Sequence, residues 1–551
     1  MLLDYYAKVC YDITKSEEGE NPMQNLTSIL GADERAVLQL RALYENNGFR
    51  KFRMNRFESY DLYTENKNFL RSDHIITFSS PSGKLMALKP DITLSIIRSM
   101  QDSDEDSRVY YNENIYRADS ANDEIKEIMQ VGVEQIGKIT TKDEGEILCL
   151  ACKSLATLSE KFMLIVSDMR LISALLSAYE LSDSKITAVL SLLADKNTHE
   201  LKAKLTRYGI CEEDAEKIAS LAALTGDYRT VLGTLEKMFP ENMTALGRIA
   251  QLKTLFASLD NTEYADKITL DFSVLSDVNY YNGIVFLGYI DCVSDSVLSG
   301  GRYDGLLKKM NKDCGGIGFA LYFDKLQRFL TETKEDDGKK ELLCVALPKG
   351  RLGEKVYSLF KKAGYGCPEM ETDSRKLIFT NEEAGICYFW SKPSDVSVYV
   401  ERGAADIGIV GKDILAEHGS DVFELADLGL GKCRMCVCGK KGEKLHENAT
   451  IRVATKFKNI AKTYFEQQSR DIEVVPLNGS IEIAPLLDVS DVIVDIVETG
   501  TTLRENNLEP YTDIMQISTR LIANKSAYRF RKDAVDKVIS QILTAKSEET
   551  K

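Results

Sequence analysis

Histidine is scarce: only His74, His199, His418 and His446 occur in 551 residues, and none stands at ligand spacing from a cysteine pair. Cys149 and Cys152 have the Cys-x-x-Cys spacing but no second half, which excludes a structural zinc site. No apolar run approaches membrane-spanning length, and MLLDYYAKVCYD lacks the basic stretch that opens a signal peptide. The sequence therefore predicts a cytoplasmic protein with no membrane partner. Basic charge is also in short supply. Lys and Arg number 70 against 85 Asp and Glu, a formal net charge of −15. That balance excludes a general nucleic-acid binder but permits a local basic pocket for a small anion. The twelve cysteines, some in apolar stretches such as EILCLACKSLATL, are expected as buried reduced thiols.

What is present divides in two. TETKEDDGKKE, residues 331–341, is charged and has almost nothing to bury, so it is read as a linker. Ahead of it, KLMALKPD, RVYYNENIYRA, IMQVGVEQIG, KITLDFSVL, GIVFLGYIDCV and GGIGFALYF are strand-like. Residues of about 165–262 interrupt them with apolar positions at helical spacing. The expectation is an α+β domain, residues 1–330, with an antiparallel sheet and a helical insertion. After the linker, residues 342–551 alternate strand, turn and helix, which predicts an α/β domain with mostly parallel strands. Ligands in such sheets bind beyond the carboxyl ends of the strands. The tail KSEETK is read as unstructured.

Four polar stretches stand where those strand ends are expected. In DIVETGTTL a strand runs into Glu498, Thr499, Gly500, Thr501 and Thr502: backbone N–H groups, three hydroxyls and one residue free to take φ > 0. That is the chemistry of a phosphate cradle, although a plain strand-to-helix turn capped by Thr501 or Thr502 has the same composition. ALPKGRL puts Lys349, Gly350 and Arg351 directly after a strand, and ETDSRKLIF puts Arg375 and Lys376 before one. VYVERGAADIGIVGKDIL adds Arg402, Lys412 and Asp413. Any one cation alone reads as a solvated side chain. Together they favour an anionic ligand.

ALPKGRL, SRKLIF, YVERGAADIGIVGKDIL, DLGLGKCR, NGSIEIAPLLDVSDVIVDIVETGTTLRENNL and ISTRLIANK, in this order, resemble the short form of the ATP phosphoribosyltransferase family over roughly residues 342–545. The resemblance implies a two-lobed fold like periplasmic solute-binding proteins. It implies that N1 of ATP attacks C1 of phosphoribosyl pyrophosphate and expels pyrophosphate, the first step of histidine biosynthesis. Asp495, Glu498, Thr499, Gly500, Thr501 and Thr502 would hold the ribose 5-phosphate and ribose. Lys349, Gly350, Arg351 and Arg375 would bind ATP or pyrophosphate, with Arg351 and Arg375 as catalytic cations and Mg²⁺ riding on the pyrophosphate. Such chemistry rests on orientation and leaving-group charge and needs no catalytic His or Cys.

LKPDITLSIIR, ENIYRADSANDEIKEIMQVGVEQIG, NYYNGIVF and SGGRYDGLLKKM resemble a different family, histidyl-tRNA synthetase, over roughly residues 20–328. Arg117 and Asp119 fall on its second class motif. Ser276 and Lys325 stand where it has arginines, and Lys does not reproduce a planar bidentate guanidinium. The anticodon-binding domain is replaced by the linker. The resemblance thus implies a domain without aminoacylation that keeps a histidine pocket at Gln130, Glu134, Tyr280 and Tyr281, where a carboxylate and a phenol suit the imidazole nitrogens. It is similar to the regulatory subunit of short-form ATP phosphoribosyltransferase, here fused to the catalytic part. The expected ligands are ATP, phosphoribosyl pyrophosphate and histidine, and the expected assembly is a homo-oligomer.

Overall fold

The computed structural model describes residues 30–65, 75–100, 107–118, 124–275, 281–331, 342–371, 375–443 and 450–549. Asp119, Ser276, Tyr280 and most of the expected linker lie outside them. Contacts divide the chain into two compact units, one of residues 1–175, 226–270 and 274–335, the other of 176–225, 271–273 and 336–551. Among the described residues no helix is long and apolar enough to cross a membrane.

The first unit is built on a nine-stranded sheet. Ile125–Gly137, third in the sheet, pairs antiparallel with Ser107–Ala118 on one side and with Gly315–Tyr322 on the other. The sheet continues through Leu298–Arg302, Ile284–Ile290 and Phe162–Asp168, each antiparallel to the last. The antiparallel expectation therefore holds through the middle of the sheet, and Arg50–Lys51 with Ser107–Ala118 and Phe162–Asp168 with Ile268–Asp271 pair parallel towards its edges. Residues 130–137 are buried on both faces because helices and loops cover the sheet on either side, which is why polar Gln130 and Glu134 enter the interior here. Helix Thr141–Leu158 starts at a capping box in which the Thr140 N–H donates to Asp143 Oδ2 at 2.8 Å. Its apolar face buries Ile147, Leu148, Ala151, Cys152 and Leu155, so this Cys-x-x-Cys pair is part of a packed helix.

The expected helical insertion begins later than its apolar spacing indicated, since residues 165–168 finish the strand Phe162–Asp168. Its helices Asp183–Ala194, Thr198–Arg207 and Glu212–Ser220 fall in the second unit. Helices Tyr228–Met238 and Met243–Ala257 fall in the first.

The second unit contains two sheets. A six-stranded sheet runs Ile378–Asn381, Ile386–Ser391, Leu343–Pro348, Ile407–Gly411, Thr519–Ala523, Phe423–Asp427. A five-stranded sheet runs Ile472–Pro476, Ile451–Thr455, Val492–Val497, Cys433–Lys440, Leu508–Ile517. The chain passes from the first to the second between Asp427 and Cys433 and returns at Ser518. Each sheet is mixed rather than mostly parallel. Leu343–Pro348 is parallel to both its neighbours and Val492–Val497 to Ile451–Thr455, whereas the edge strand Ile378–Asn381 and the strands flanking the two crossings pair antiparallel. Strand composition does not encode that reversal of direction. Cys344 and Cys387 are register partners on adjacent strands with Cα atoms 4.7 Å apart and form a disulfide, a correction to the all-reduced expectation. A separation of 43 residues hides that pairing from the sequence. The closing helix Lys532–Glu549 also takes in most of the tail read as unstructured.

Candidate functional site

Strand Val492–Val497 ends at the loop of Glu498, Thr499 and Gly500, and helix Thr501–Glu505 follows. Gly500 takes φ +69°, the left-handed conformation that favours glycine, and turns the chain into the helix. Gly500, not a threonine, is the N-cap residue. The Thr499 hydroxyl accepts from the Thr501 N–H at 3.4 Å and lies 3.1 Å from the Thr501 hydroxyl. Arg504 folds back over the loop, donating to the Thr499 carbonyl and to Thr501 Oγ1, each at 3.1 Å. Arg504 was visible in LRENN but carried no signal of its own, because only the turn brings it onto the loop. Asp495 precedes the loop, half-buried, and burial raises its carboxyl above the usual range against the attraction of Lys456.

The cations assemble on the other sheet. Strands Leu343–Pro348 and Ile386–Ser391 are parallel, with Pro348 level with Ser391. The edge strand runs against them with Ile378 level with Phe389, so Arg375 emerges at the same edge as Lys349, Gly350 and Arg351. Gly350 has φ +100° and is the N-cap of helix Arg351–Phe360. The side chains of Lys349, Arg351 and Arg375 are exposed, while Lys376 is tied to Glu369 at 2.7 Å. Strand Ile407–Gly411 ends at this edge too and delivers Lys412 and Asp413. The Asp413 carboxyl is raised, chiefly by burial, and Lys456 again opposes the rise. Burial pushes the Cys433 thiol up to about 11, and the charges of Asp413, after a strand of one sheet, and Glu498, after a strand of the other, add to it. The edges are also clasped: the Glu417 carboxylate accepts from the N–H groups of Asn459 at 3.1 Å and Ile460 at 3.1 Å, at the start of helix Lys458–Gln467. Sequence reading thus named residues on both edges, but it missed Lys456, Glu417 and Arg504.

Among the described residues one cluster has three side chains of metal-ligating type close together, His199, Glu200 and Glu424. Arg520 reaches all three, at 2.9 Å to Glu200 and 3.3 Å to Glu424, and Lys412 lies 2.6 Å from Glu424. Two cations inside the cluster leave little attraction for a third, so it is read as an ion-pair network.

In the first unit a small polar cleft is lined by Asp91, Thr93, Arg117, Gln130, Glu134 and Tyr281 among others. Thr93 Oγ1 donates to Glu134 Oε1 at 2.7 Å, and the Tyr303 hydroxyl donates to Oε2 at 2.5 Å. Gly318, the register partner of Glu134, makes room for it, since a Cβ there would stand 1.9 Å from Oε2. Burial pushes the Glu134 carboxyl up to about 8; the two hydroxyls oppose that rise and Asp91 adds to it. The structure therefore brings together Gln130, Glu134 and Tyr281, while Tyr280 lies outside the described residues. Lys325 is held by Asp295 at 2.6 Å and by the Ser296 carbonyl at 3.1 Å.

These features define a two-part protein: an α/β unit with a glycine-turned threonine loop on one sheet and exposed cations at an edge of the other, and an antiparallel unit with a small polar pocket. Residues 392–544 match the family model described as ATP phosphoribosyltransferase, and residues 30–326 match that of histidyl-tRNA synthetase. An ATP phosphoribosyltransferase from Brachyspira hyodysenteriae is 54% identical over 202 residues, 36% of this chain and 98% of that protein. One from Clostridioides difficile is 50% identical over 200 residues, 36% of this chain and 96% of that protein. A solved structure from Bacillus halodurans, described as an ATP phosphoribosyltransferase regulatory subunit/histidyl-tRNA synthetase, superposes with a TM-score of 0.50 at 23% identity. It covers 60% of this chain and 86% of its own, and it shows the class II synthetase-like fold of the first part. The chain belongs to the ATP phosphoribosyltransferase family and carries, ahead of that domain, a member of the histidyl-tRNA synthetase family.

Proposed function

We propose that residues 342–551 transfer the phosphoribosyl group of phosphoribosyl pyrophosphate to N1 of ATP. The N1 lone pair forms the bond to C1, the C1–O bond breaks on the opposite face, and pyrophosphate leaves with the electron pair. The loop at 498–502 holds the 5-phosphate, Asp495 and Glu498 meet the ribose hydroxyls, and Lys349, Gly350, Arg351 and Arg375 bind the polyphosphate. The observation that carries this reading is the left-handed turn at Gly500, which sets two threonines and Arg504 around one strand end. The nearby carboxylates Asp413, Asp495 and Glu498 are oxygen donors of the type a hard cation takes, which fits Mg²⁺ arriving on pyrophosphate. Bound there, Mg²⁺ supplies neutralisation of leaving-group charge.

Residues 1–330 are proposed as the regulatory part, joined by 331–341, with histidine bound beside Gln130, Glu134, Tyr280 and Tyr281. A buried carboxyl aimed into a small polar cleft supports an amino-acid ligand. Aminoacylation is not part of the proposal, because Lys325 is engaged by Asp295. The two clustered sheets act as lobes of a ligand cleft, and the protein works in the cytoplasm as a homo-oligomer without nucleic acid or membrane. The test is phosphoribosyl-ATP formation from ATP and phosphoribosyl pyrophosphate, with and without histidine. Absence of product refutes the catalytic reading, and product formation indifferent to histidine refutes the regulatory one.

A further inference from the structure

Lys456 follows strand Ile451–Thr455 at its carboxyl end, in the stretch VATKFKN. A lysine there is by default a solvated side chain. Its surroundings are more specific. The strand is parallel to Val492–Val497, with Ala454 level with Ile493, so Lys456 stands level with Asp495 at the root of the phosphate loop. The position is fixed by Thr455, which is fully buried: its hydroxyl donates to the Val494 carbonyl at 2.7 Å and accepts from the Phe457 N–H at 2.8 Å. The Lys456 ammonium lies 4.7 Å from the centre of the Phe457 ring. Among the described residues no carboxylate comes within 4 Å of that ammonium in an ion pair. Its charge nonetheless acts on two carboxyls, Asp495 on its own sheet and Asp413 on the other. Just beyond it, Glu417 clasps the start of helix Lys458–Gln467, holding this corner of the five-stranded sheet against the six-stranded one.

We propose that Lys456 is a catalytic residue that binds the diphosphate of phosphoribosyl pyrophosphate and stabilises it as it leaves. The inference rests on the transferase reading above and adds a residue to it. With the 5-phosphate in the loop at 498–502 and the ribose at Asp495, the diphosphate at C1 extends past Asp495, where Lys456 stands. An ammonium with no partner within ion-pair distance is ready to pair with the incoming polyanion, and its attraction grows as the C1–O bond breaks and charge collects on the leaving group. The charges of Asp413 and Asp495, beyond ion-pair distance, keep the free site from being strongly cationic.

The test uses the full chain, Lys456→Gln and Lys456→Arg, with inorganic pyrophosphate as the calorimetric probe and steady-state kinetics alongside. The expected result for Lys456→Gln is pyrophosphate affinity and kcat/KM for phosphoribosyl pyrophosphate each down ten-fold or more. KM for ATP and the unfolding temperature should stay unchanged, and Lys456→Arg should recover most of both losses. Unaltered pyrophosphate affinity in Lys456→Gln overturns the proposal and leaves the transferase reading standing. Loss of pyrophosphate binding in Lys456→Gln, in a wild type that forms no phosphoribosyl-ATP, supports the anion site and refutes the transferase reading. A wild type that binds no pyrophosphate overturns the proposal, while product formation decides the transferase reading by itself.

Discussion

Replacing Glu134 by Gln should make the first unit more stable at alkaline pH while removing its response to histidine. The Glu134 carboxyl is 3% exposed, and its folded value is raised from 4.5 to about 8. An acid raised in this direction is most favourable to folding below pH 4.5, where it is protonated in both states. That contribution is lost progressively as pH climbs to 8, because the unfolded chain releases a proton that the folded chain retains. Between pH 5.5 and 8.5 the loss integrates to about 3 kcal/mol, at about 1.4 kcal/mol per pH unit of separation. Gln does not titrate. It keeps the volume but loses one acceptor for Thr93 or Tyr303, a pH-independent cost of about 1 kcal/mol. Glu134→Gln is therefore expected to be less stable than wild type below pH 4.5, about level with it at pH 5.5 and more stable at pH 8.5, with a swing of roughly 6–12 °C between the last two in the transition of this unit. Histidine binding should weaken at least ten-fold, about 1.4 kcal/mol, while uninhibited turnover persists. Thermal unfolding at the two pH values, together with calorimetric titration of histidine, checks both halves. A stability difference that does not change with pH refutes the buried neutral carboxyl. Unchanged histidine affinity and inhibition refute the pocket.

Arg351→Ala and Arg375→Ala should each lower kcat ten-fold or more, on the order of 1.4 kcal/mol, with little change in unfolding temperature because both side chains are exposed; unchanged turnover in both variants would place the polyphosphate elsewhere. Gly500→Val should raise KM for phosphoribosyl pyrophosphate, since φ +69° costs a β-branched residue about 1–2 kcal/mol; kinetics at wild-type values would reduce the loop to a turn. Asp271→Asn should destabilise the second unit by about 3 kcal/mol, because Lys196, 2.9 Å away and 2% exposed, is left buried without its counter-charge; a shift below about 1 kcal/mol in urea unfolding contradicts this. Histidine-dependent ATP–pyrophosphate exchange should be absent, and exchange at synthetase-like rates would restore aminoacylation to the first part.

Much of the architecture was legible because it is written in local pattern. RVYYNENIYRA and IMQVGVEQIG were strand-like in sequence and pair as strands. The requirement for φ > 0 at Gly500 was readable from one glycine between threonines, because only glycine takes that conformation without strain. Motif order carried the family of both parts. What depends on register, crossing and burial was not legible. The disulfide between Cys344 and Cys387, the antiparallel strands at the sheet crossings, and the place of helices 183–220 in the second unit all follow from long-range pairing. The same holds at the sites. Glu134 was nameable from its motif, yet its raised carboxyl comes from burial beside a glycine on the next strand, against the pull of hydroxyls 41 positions before it and 169 after. Lys456 looked like any loop lysine until parallel pairing set it level with Asp495. Sequence alone determined which elements form and which residue types the loops present, because those depend on neighbours a few positions apart. Only the tertiary structure decided which charges face one another, because electrostatic energy depends on distance and burial, and neither is local in the chain.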